Sequence, residues 1–382
     1  MSKISVSSLF TLLLLLFSQT SFASPSLVPS PPDVAAKAYL LMDYHSGRIL
    51  TAHDIDSRVE PASLTKLMTA YVILNELKNG TIKLDDQVLV SEKAWRMKGS
   101  RMFLKLHSRV SVNDLLKGMV VQSGNDASVA LAEHTAGSEE TFVQLMNQYA
   151  KRLGMRNSHF MNCTGLPEKG HYSTARDLAT LSQAIIRDFP EHYSWYKIKK
   201  FTHNHITQPN RNRLLWLDDR VDGIKTGHTE SAGYCLIASA KQDDMRLISV
   251  VLGTNSDKAR ARASRKLLNY GFRFYETFKL HEAMKPLTEI RIWKGAKKTL
   301  PLGLANDLYI TAPRGQRSRI KAEMTLQANI TAPVQKGQTF GHIEVKLDNT
   351  VLSKQPLVAL ENIDTGNLWQ RLSDNIILLF KK

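Results

Sequence analysis

Apolar and polar positions change rhythm several times along this chain, and each change marks an element. Behind Lys3 runs an unbroken apolar stretch, Leu9 to Phe17, and then Ser21-Phe22-Ala23 with small residues at both positions of a cleavage site. That pattern predicts a secretory signal peptide over residues 1–23, too short to span a bilayer, and an exported mature chain. Residues 24–34, rich in Pro and Ser, read as an exposed lead-in. Ala38–Asp43 and Ile49–Ala52 are short apolar runs around His45-Ser46-Gly47-Arg48, which predicts a hairpin. From Pro61 the period lengthens. Leu67, Met68, Tyr71, Val72 and Leu74 form a helical stripe, with Pro61 where a first helical turn tolerates it.

Helical spacing dominates from Ala127 to Arg187, in Val129–Ala132, Phe142–Leu153 and Asp177–Ile186. Strand-like runs return between Val221 and Val251, chiefly Gly233–Ala238 and Leu247–Val251, and a helix over residues 259–274 follows. Strands flanking a helical middle predict an α/β domain whose sheet is built from both chain ends. After Phe278 the runs shorten. Ile290–Trp293, Leu308–Thr311, Lys321–Ile330, Ile343–Leu347 and Leu357–Leu360 are separated by Gly, Pro and Asn, which predicts a small all-β domain. In the last stretch, Leu368, Trp369, Leu372, Ile376, Leu379 and Phe380 share one helical face, with Gly366 read as a hinge. Arg371 and Asp374 interrupt it, so the helix cannot span a bilayer. It can lie in the bilayer's interface or dock on its own protein, and its terminal position and large apolar residues favour the membrane.

Composition refines this outline. A length of 382 residues suggests two or three domains, and 43% hydrophobic with 23% charged residues is ordinary for a globular protein. Two cysteines, Cys163 and Cys235, rule out a disulfide scaffold and lack metal-site spacing; they read as free buried thiols. His203-Asn204-His205 has no third ligand at a recognisable spacing and reads as a loop. No metal or organic cofactor is implied. The net charge of +16 invites a nucleic-acid reading, but the basic residues are scattered and no nucleic-acid-binding signature accompanies them. An attraction to anionic envelope polymers or lipid headgroups is the better use of that charge.

Candidate chemistry starts at Ser63-Leu64-Thr65-Lys66. On a helix, positions three apart share a face, so a desolvated Lys66 can take the proton of Ser63. Ser-x-x-Lys alone is weak; it recurs at Ser194–Lys197 and Ser318–Lys321, both bland by context. Downstream, Ser123-Gly124-Asn125 ends an apolar helical run, where a loop can present Ser123 to relay a proton and Asn125 to hold a peptide carbonyl. Ser111-Val112-Asn113, before a helix, and Ser373-Asp374-Asn375, in the tail, are lookalikes. The third element, Lys225-Thr226-Gly227 at the entry to a strand, occurs once. A lysine and a hydroxyl together bind a carboxylate, and Gly227 lets a substrate backbone approach. The His228 and Ser63 amides can form an oxyanion hole.

These three motifs in this order mark class A β-lactamases and penicillin-binding proteins. The chain resembles the low-molecular-mass penicillin-binding proteins, specifically the D-alanyl-D-alanine carboxypeptidases of the penicillin-binding protein 5 and 6 type. Gln122–Ala127, Tyr172–Asp177, Asn210-Arg211-Asn212 with Leu214-Leu215-Trp216, and Val221–Thr229 carry the resemblance further. It implies a penicillin-recognising α/β catalytic domain over 24–278, a β-rich domain over 279–365 and a membrane-anchor helix over 366–382. The implied reaction removes the terminal D-alanine from peptidoglycan pentapeptides through an acyl-enzyme on Ser63, with Lys66 as base and β-lactams as acylating inhibitors. Ser123 and Asn125 then shuttle the proton and position the peptide, while Lys225, Thr226 and Arg211 bind the terminal carboxylate. Arg260 either supports that pocket or lies on the surface, and Asp177 reads as a helix N-cap rather than a base. The enzyme would work at the periplasmic face of the inner membrane. Two departures stand out. Leu106-His107-Ser108 replaces a turn where the family often has Gly, and no Glu-x-x-Leu-Asn supplies a β-lactamase deacylation base. The competing readings are a DD-endopeptidase or β-lactamase on the same fold, or a non-catalytic wall-shape protein.

Overall fold

The N-terminal α/β domain hangs on a five-stranded antiparallel sheet whose strand order joins the two ends of the domain. Ile49–His53, Ala38–Asp43, Met245–Thr254, Gly233–Gln242 and Val221–Thr229 lie side by side in that order. The computed structural model describes residues 28–380. The expected signal peptide and the last two lysines lie outside the described residues.

Alternation along the strands gives the sheet two apolar faces. Leu40, Met42, Ile248 and Val250 join the large core shared with the helices. Leu41 and Leu247 point the other way, against Gly271 of the Asp257–Phe274 helix, where a Cβ would collide with both. The centre of the helical side is the Lys66–Asn79 helix, buried without interruption from Lys66 to Leu74, so it is apolar all round rather than striped. Gly80, at φ 77°, terminates it in the left-handed conformation that favours glycine.

Several local expectations change. Asp177 is not the cap of its helix: Thr174 is, its side chain accepting from the Asp177 amide, while the Asp177 carboxylate accepts from the Asn157 amide and Ser158 Oγ. Ser111 is likewise the N-cap of the Val112–Gln122 helix, so that lookalike motif is a capping device. The stretch around His203 is a hairpin rather than a loop, Lys200–His203 paired with Ile206–Pro209. Asn204 and His205 both take positive φ at its turn, as two-residue hairpin turns require. His107, at φ 60°, takes the backbone conformation where related chains often place Gly.

The C-terminal region is all-β. Tyr275–His281 pairs with Leu308–Pro313, so a strand runs through residue 278. Pro286–Arg291, Thr299–Gly303, Thr350–Ala359, Thr339–Leu347 and Ile320–Leu326 form a second antiparallel sheet in that order. Asp43, fully buried, ties the two regions by accepting from Thr277 Oγ1 at 2.7 Å. His45 stacks on Tyr309.

The terminal helix, Leu368–Phe380, opens with a reciprocal cap in which Asn367 and Gln370 side chains each accept the other's amide. Polar contacts hold its inner face: Asp374 accepts from Arg291 at 3.1 Å and from the Lys294 amide at 2.5 Å. Gly366 is not a hinge. Its amide donates to the Lys294 carbonyl, and a Cβ would lie 2.7 Å from the Gly295 carbonyl oxygen. With Asp374 facing inward, the apolar residues face out; Trp369 is 81% and Phe380 86% exposed. Among the described residues no helix is long and apolar enough to cross a membrane.

Candidate active site

Ser63 sits in a tight 3-10 turn, Ala62–Thr65, that runs directly into the Lys66–Asn79 helix. Ala62 takes φ 47°, a strained value for a residue with a Cβ, of the kind that gathers at functional sites. The turn brings Lys66 Nζ to 3.1 Å from Ser63 Oγ. Lys66 Nζ also donates to the Thr164 carbonyl at 2.5 Å. Burial pushes the Lys66 ammonium down to about 7; the buried Cys163 and Asp126 pull it up, and Arg211 adds to the fall. A neutral Lys66 spends one N–H on Thr164 and keeps its lone pair for the Ser63 proton.

Thr164 belongs to a turn that sequence reasoning missed. Asn162 Oδ1 accepts from the amides of Thr164 and Gly165 and from Thr164 Oγ1, which winds the chain around it. Gly165, at φ 82°, presses on the turn that carries Ser63 so closely that a Cβ would run into the Ala62 carbonyl. The turn is fastened from below as well. Glu139 accepts from the Cys163 amide and thiol, and Thr69 Oγ1 donates to the Cys163 carbonyl. Cys163 and Cys235 are both free and buried. His171 adds a second link: the Met161 amide donates to Nδ1, so Nε2 carries the proton and donates to Thr65 Oγ1 at 2.8 Å. Burial, with His159 and Lys66 nearby, holds this imidazole at about 4, so it is neutral. The available signal was Gly165 itself, a glycine preceded by hydrogen-bonding residues.

Ser123 caps the Val112–Gln122 helix in the left-handed region, φ 64°, which turns its hydroxyl back toward the sheet. Lys225 Nζ donates to Ser123 Oγ at 2.8 Å and to the Thr226 carbonyl at 3.1 Å. Lys225 is itself buried behind the strand, and burial, then Lys66, Arg211 and Arg260, pushes its ammonium well below the ordinary value. Asn125 opens the next helix. Its Nδ2 donates to the Lys98 carbonyl at 2.6 Å, a bond only the NH2 end can make, so Oδ1 is the free atom, buried without a protein partner. Asp126, also missed from sequence, accepts from the Met102 and Leu104 amides and fastens the 99–104 loop beside Asn125.

The edge strand Val221–Thr229 supplies the opposite wall. Gly227 passes the turn that carries Ser63 with room for no side chain: a Cβ would lie 3.0 Å from the Pro61 carbonyl oxygen. Arg260 resolves toward the pocket rather than the surface. It is buried, donating to the Gly227 carbonyl at 2.9 Å and paired with Asp257 at 2.5 Å. Asn210 and Asn212, both buried and hydrogen-bonded to backbone, hold the segment that presents Arg211. Ser63, Ser123, Asn125, Arg211, Thr226 and His228 thus share one cleft of about 850 Å³, with Lys66 and Lys225 just behind its wall. Among the described residues no cluster of side chains could hold a metal ion.

This geometry has known counterparts. Residues 26–256 match the family described as D-alanyl-D-alanine carboxypeptidase, and residues 275–365 match the C-terminal domain of penicillin-binding protein 5. The chain is 47% identical to the D-alanyl-D-alanine carboxypeptidase DacC of Escherichia coli K12, over 96% of this chain and 94% of that protein. It is 45% identical to DacA of the same strain, over 93% and 90%. Among solved structures, penicillin-binding protein 5 of Haemophilus influenzae superposes with a TM-score of 0.84 at 46% identity, covering 88% of this chain and 99% of that one.

Proposed function

The chain belongs to the D-alanyl-D-alanine carboxypeptidase family, and on that premise we propose how its own residues perform the reaction. It is a serine-type D-Ala-D-Ala carboxypeptidase of the penicillin-binding protein 5 and 6 type, exported, acting on peptidoglycan at the membrane surface and inhibited by β-lactams. The observation that carries the catalytic assignment is Lys66 Nζ at 3.1 Å from Ser63 Oγ, buried and held at about 7.

Ser63 Oγ attacks the carbonyl carbon of the penultimate D-alanine while Lys66 takes its proton. The oxyanion forms against the amides of Ser63 and His228. Collapse breaks the C–N bond, and the proton reaches the departing amine through Ser123, whose hydroxyl lies in hydrogen-bond reach of the buried Lys225. Lys225 therefore acts through Ser123 from its buried place beside Thr226, and the direct carboxylate contacts fall to Thr226 and Arg211. Asn125, anchored through Nδ2 on the Lys98 carbonyl, receives a substrate N–H on its unpartnered Oδ1. Gly227 keeps the strand edge open for the peptide. Water then hydrolyses the acyl-enzyme.

The β-lactamase reading finds no support in the cleft. Asp257 is its one lining carboxylate among the described residues, and Arg260 and Arg213 hold it, so no free carboxylate activates water against a penicilloyl ester. Mass spectrometry after benzylpenicillin tests the assignment: a lasting adduct on Ser63, absent in Ser63→Ala, with D-alanine released from a pentapeptide. Rapid drug turnover without an adduct would point to a β-lactamase instead.

A further inference from the structure

The Asp257–Phe274 helix buries one face against the sheet and leaves a single stripe to solvent. Its exposed positions are Lys258, Arg262, Arg265, Lys266, Asn269 and Arg273. At 3.6 residues per turn these fall within an arc of about 100°, along about 22 Å of helix. No acid follows Asp257 in the helix, and among the described residues none of the five cations is in a salt bridge. Asp218, which feels the charge of Arg265, is paired with Arg220 at 2.7 Å, Asp257 is held by Arg260 and Arg213, and Lys266 Nζ reaches only the Asp33 backbone carbonyl, at 3.4 Å.

This arrangement costs the helix stability. Lys258, Arg262 and Lys266 form an i,i+4 ladder of like charges, and Lys258 stands in the first turn, where the helix dipole disfavours a cation. The Glu139–Arg152 helix of the same protein sets two acids in its first turn against two cations in its last, whereas this one opens with the single acid Asp257 and carries cations along its whole exposed face. The stripe also has a direction. Asp257 and Arg260 line the catalytic cleft, and at the far end Arg314 of the β domain donates to the Phe272 carbonyl.

We propose that this face is a binding track for the polymeric substrate, a peptidoglycan strand whose neighbouring stem peptides each end in a carboxylate, so that the enzyme prefers polymer to free pentapeptide. One stem occupies the cleft while the carboxylates of its neighbours lie along the cations of the helix. The inference rests on the carboxypeptidase reading above and extends it to the form of the substrate. Exposed cations beside a cleft raise the local concentration and encounter rate of an anionic polymer, and salt removes the effect.

The test measures D-alanine release by the full-length protein from a soluble pentapeptide and from insoluble peptidoglycan carrying pentapeptide stems, at about 20 and about 300 mM salt, between which the Debye length falls from about 20 Å to about 6 Å. Wild-type activity on the polymer should fall with salt while activity on the soluble peptide holds. The triple variant Arg262→Gln, Arg265→Gln, Lys266→Gln should lose roughly fivefold on the polymer at low salt only, and nothing on the soluble peptide. Equal salt dependence on both substrates in the wild type overturns the inference without needing a variant. So does a triple variant that retains penicillin acylation and full polymer activity, or one whose loss appears in binding to anionic vesicles rather than to the polymer. Failure of the wild type to release D-alanine from the soluble peptide would instead overturn the reaction itself.

Discussion

Lys66 and Lys225 carry their ammonium groups into the interior of the catalytic domain, whereas Leu368, Trp369, Leu379 and Phe380 carry apolar side chains out into solvent from the terminal helix. Both arrangements invert the usual distribution, and both are costly in isolation. The buried lysines are compensated by fixed partners: the Thr164 carbonyl, Ser63 and Ser123. The exposed helix offers Trp369, Leu379 and Phe380 no such compensation and is fastened through Asp374 on its polar side. The first inversion is finished within the protein and serves chemistry; the second needs a membrane surface to finish it. A violation of the burial rule thus marks function at each site, and whether it has an internal partner separates catalysis from docking.

Breaking the internal compensation should have the larger effect. Gly165→Ala forces a Cβ into the Ala62 carbonyl and moves the Thr164 carbonyl away from Lys66. Penicillin acylation should slow about a hundredfold, the scale of a 1 Å misplacement, as measured by stopped-flow or quenched mass spectrometry. His171 tests the same scaffold through pH. Its folded pKa of about 4 lies below the ordinary histidine value, so the neutral form is the one the fold prefers. The stabilisation is complete above about 6.5 and is lost as pH falls toward 4, a loss of about 3 kcal/mol. Thermal unfolding across that window should show it, and His171→Gln should flatten the dependence. On the docking side, Leu372→Glu with Ile376→Glu should weaken co-sedimentation with lipid vesicles by about tenfold or more, while D-alanine release from a soluble pentapeptide stays unchanged. A loss of soluble activity in that variant would mean the helix supports the fold rather than the membrane contact.

The sequence carried the outline of both regions unevenly. Alternating and helical patterning exposed Ala38–Asp43, its partner strand and the return of strands after Val221, because each buries a full apolar face. The sheet's assembly from both ends followed from that. Ser63-x-x-Lys66, Ser123-x-Asn125 and Lys225-Thr226-Gly227 were legible because each is a local spelling. The turn at Asn162–Gly165 and the bond from His171 to Thr65 were not, since their partners lie far apart in the chain and a carbonyl oxygen has no residue-type signature. The His203 hairpin was missed because positive φ at Asn204 and His205 stands in for the glycine that usually announces such a turn. Gly366 was misread for a related reason. A glycine chosen for close packing against Gly295 spells the same as one chosen for freedom.

The central claim is that a desolvated Lys66 activates Ser63, and the pH dependence of Ser63 acylation by benzylpenicillin at subsaturating drug tests it most directly. With Lys66 at about 7, the neutral base grows as pH rises, so the acylation rate should climb about tenfold per unit below 7 and level off above 8. A rate that is flat from pH 5 to 9, or that falls through 7, would mean Lys66 works as a cation, and the mechanism built on its lone pair would be wrong.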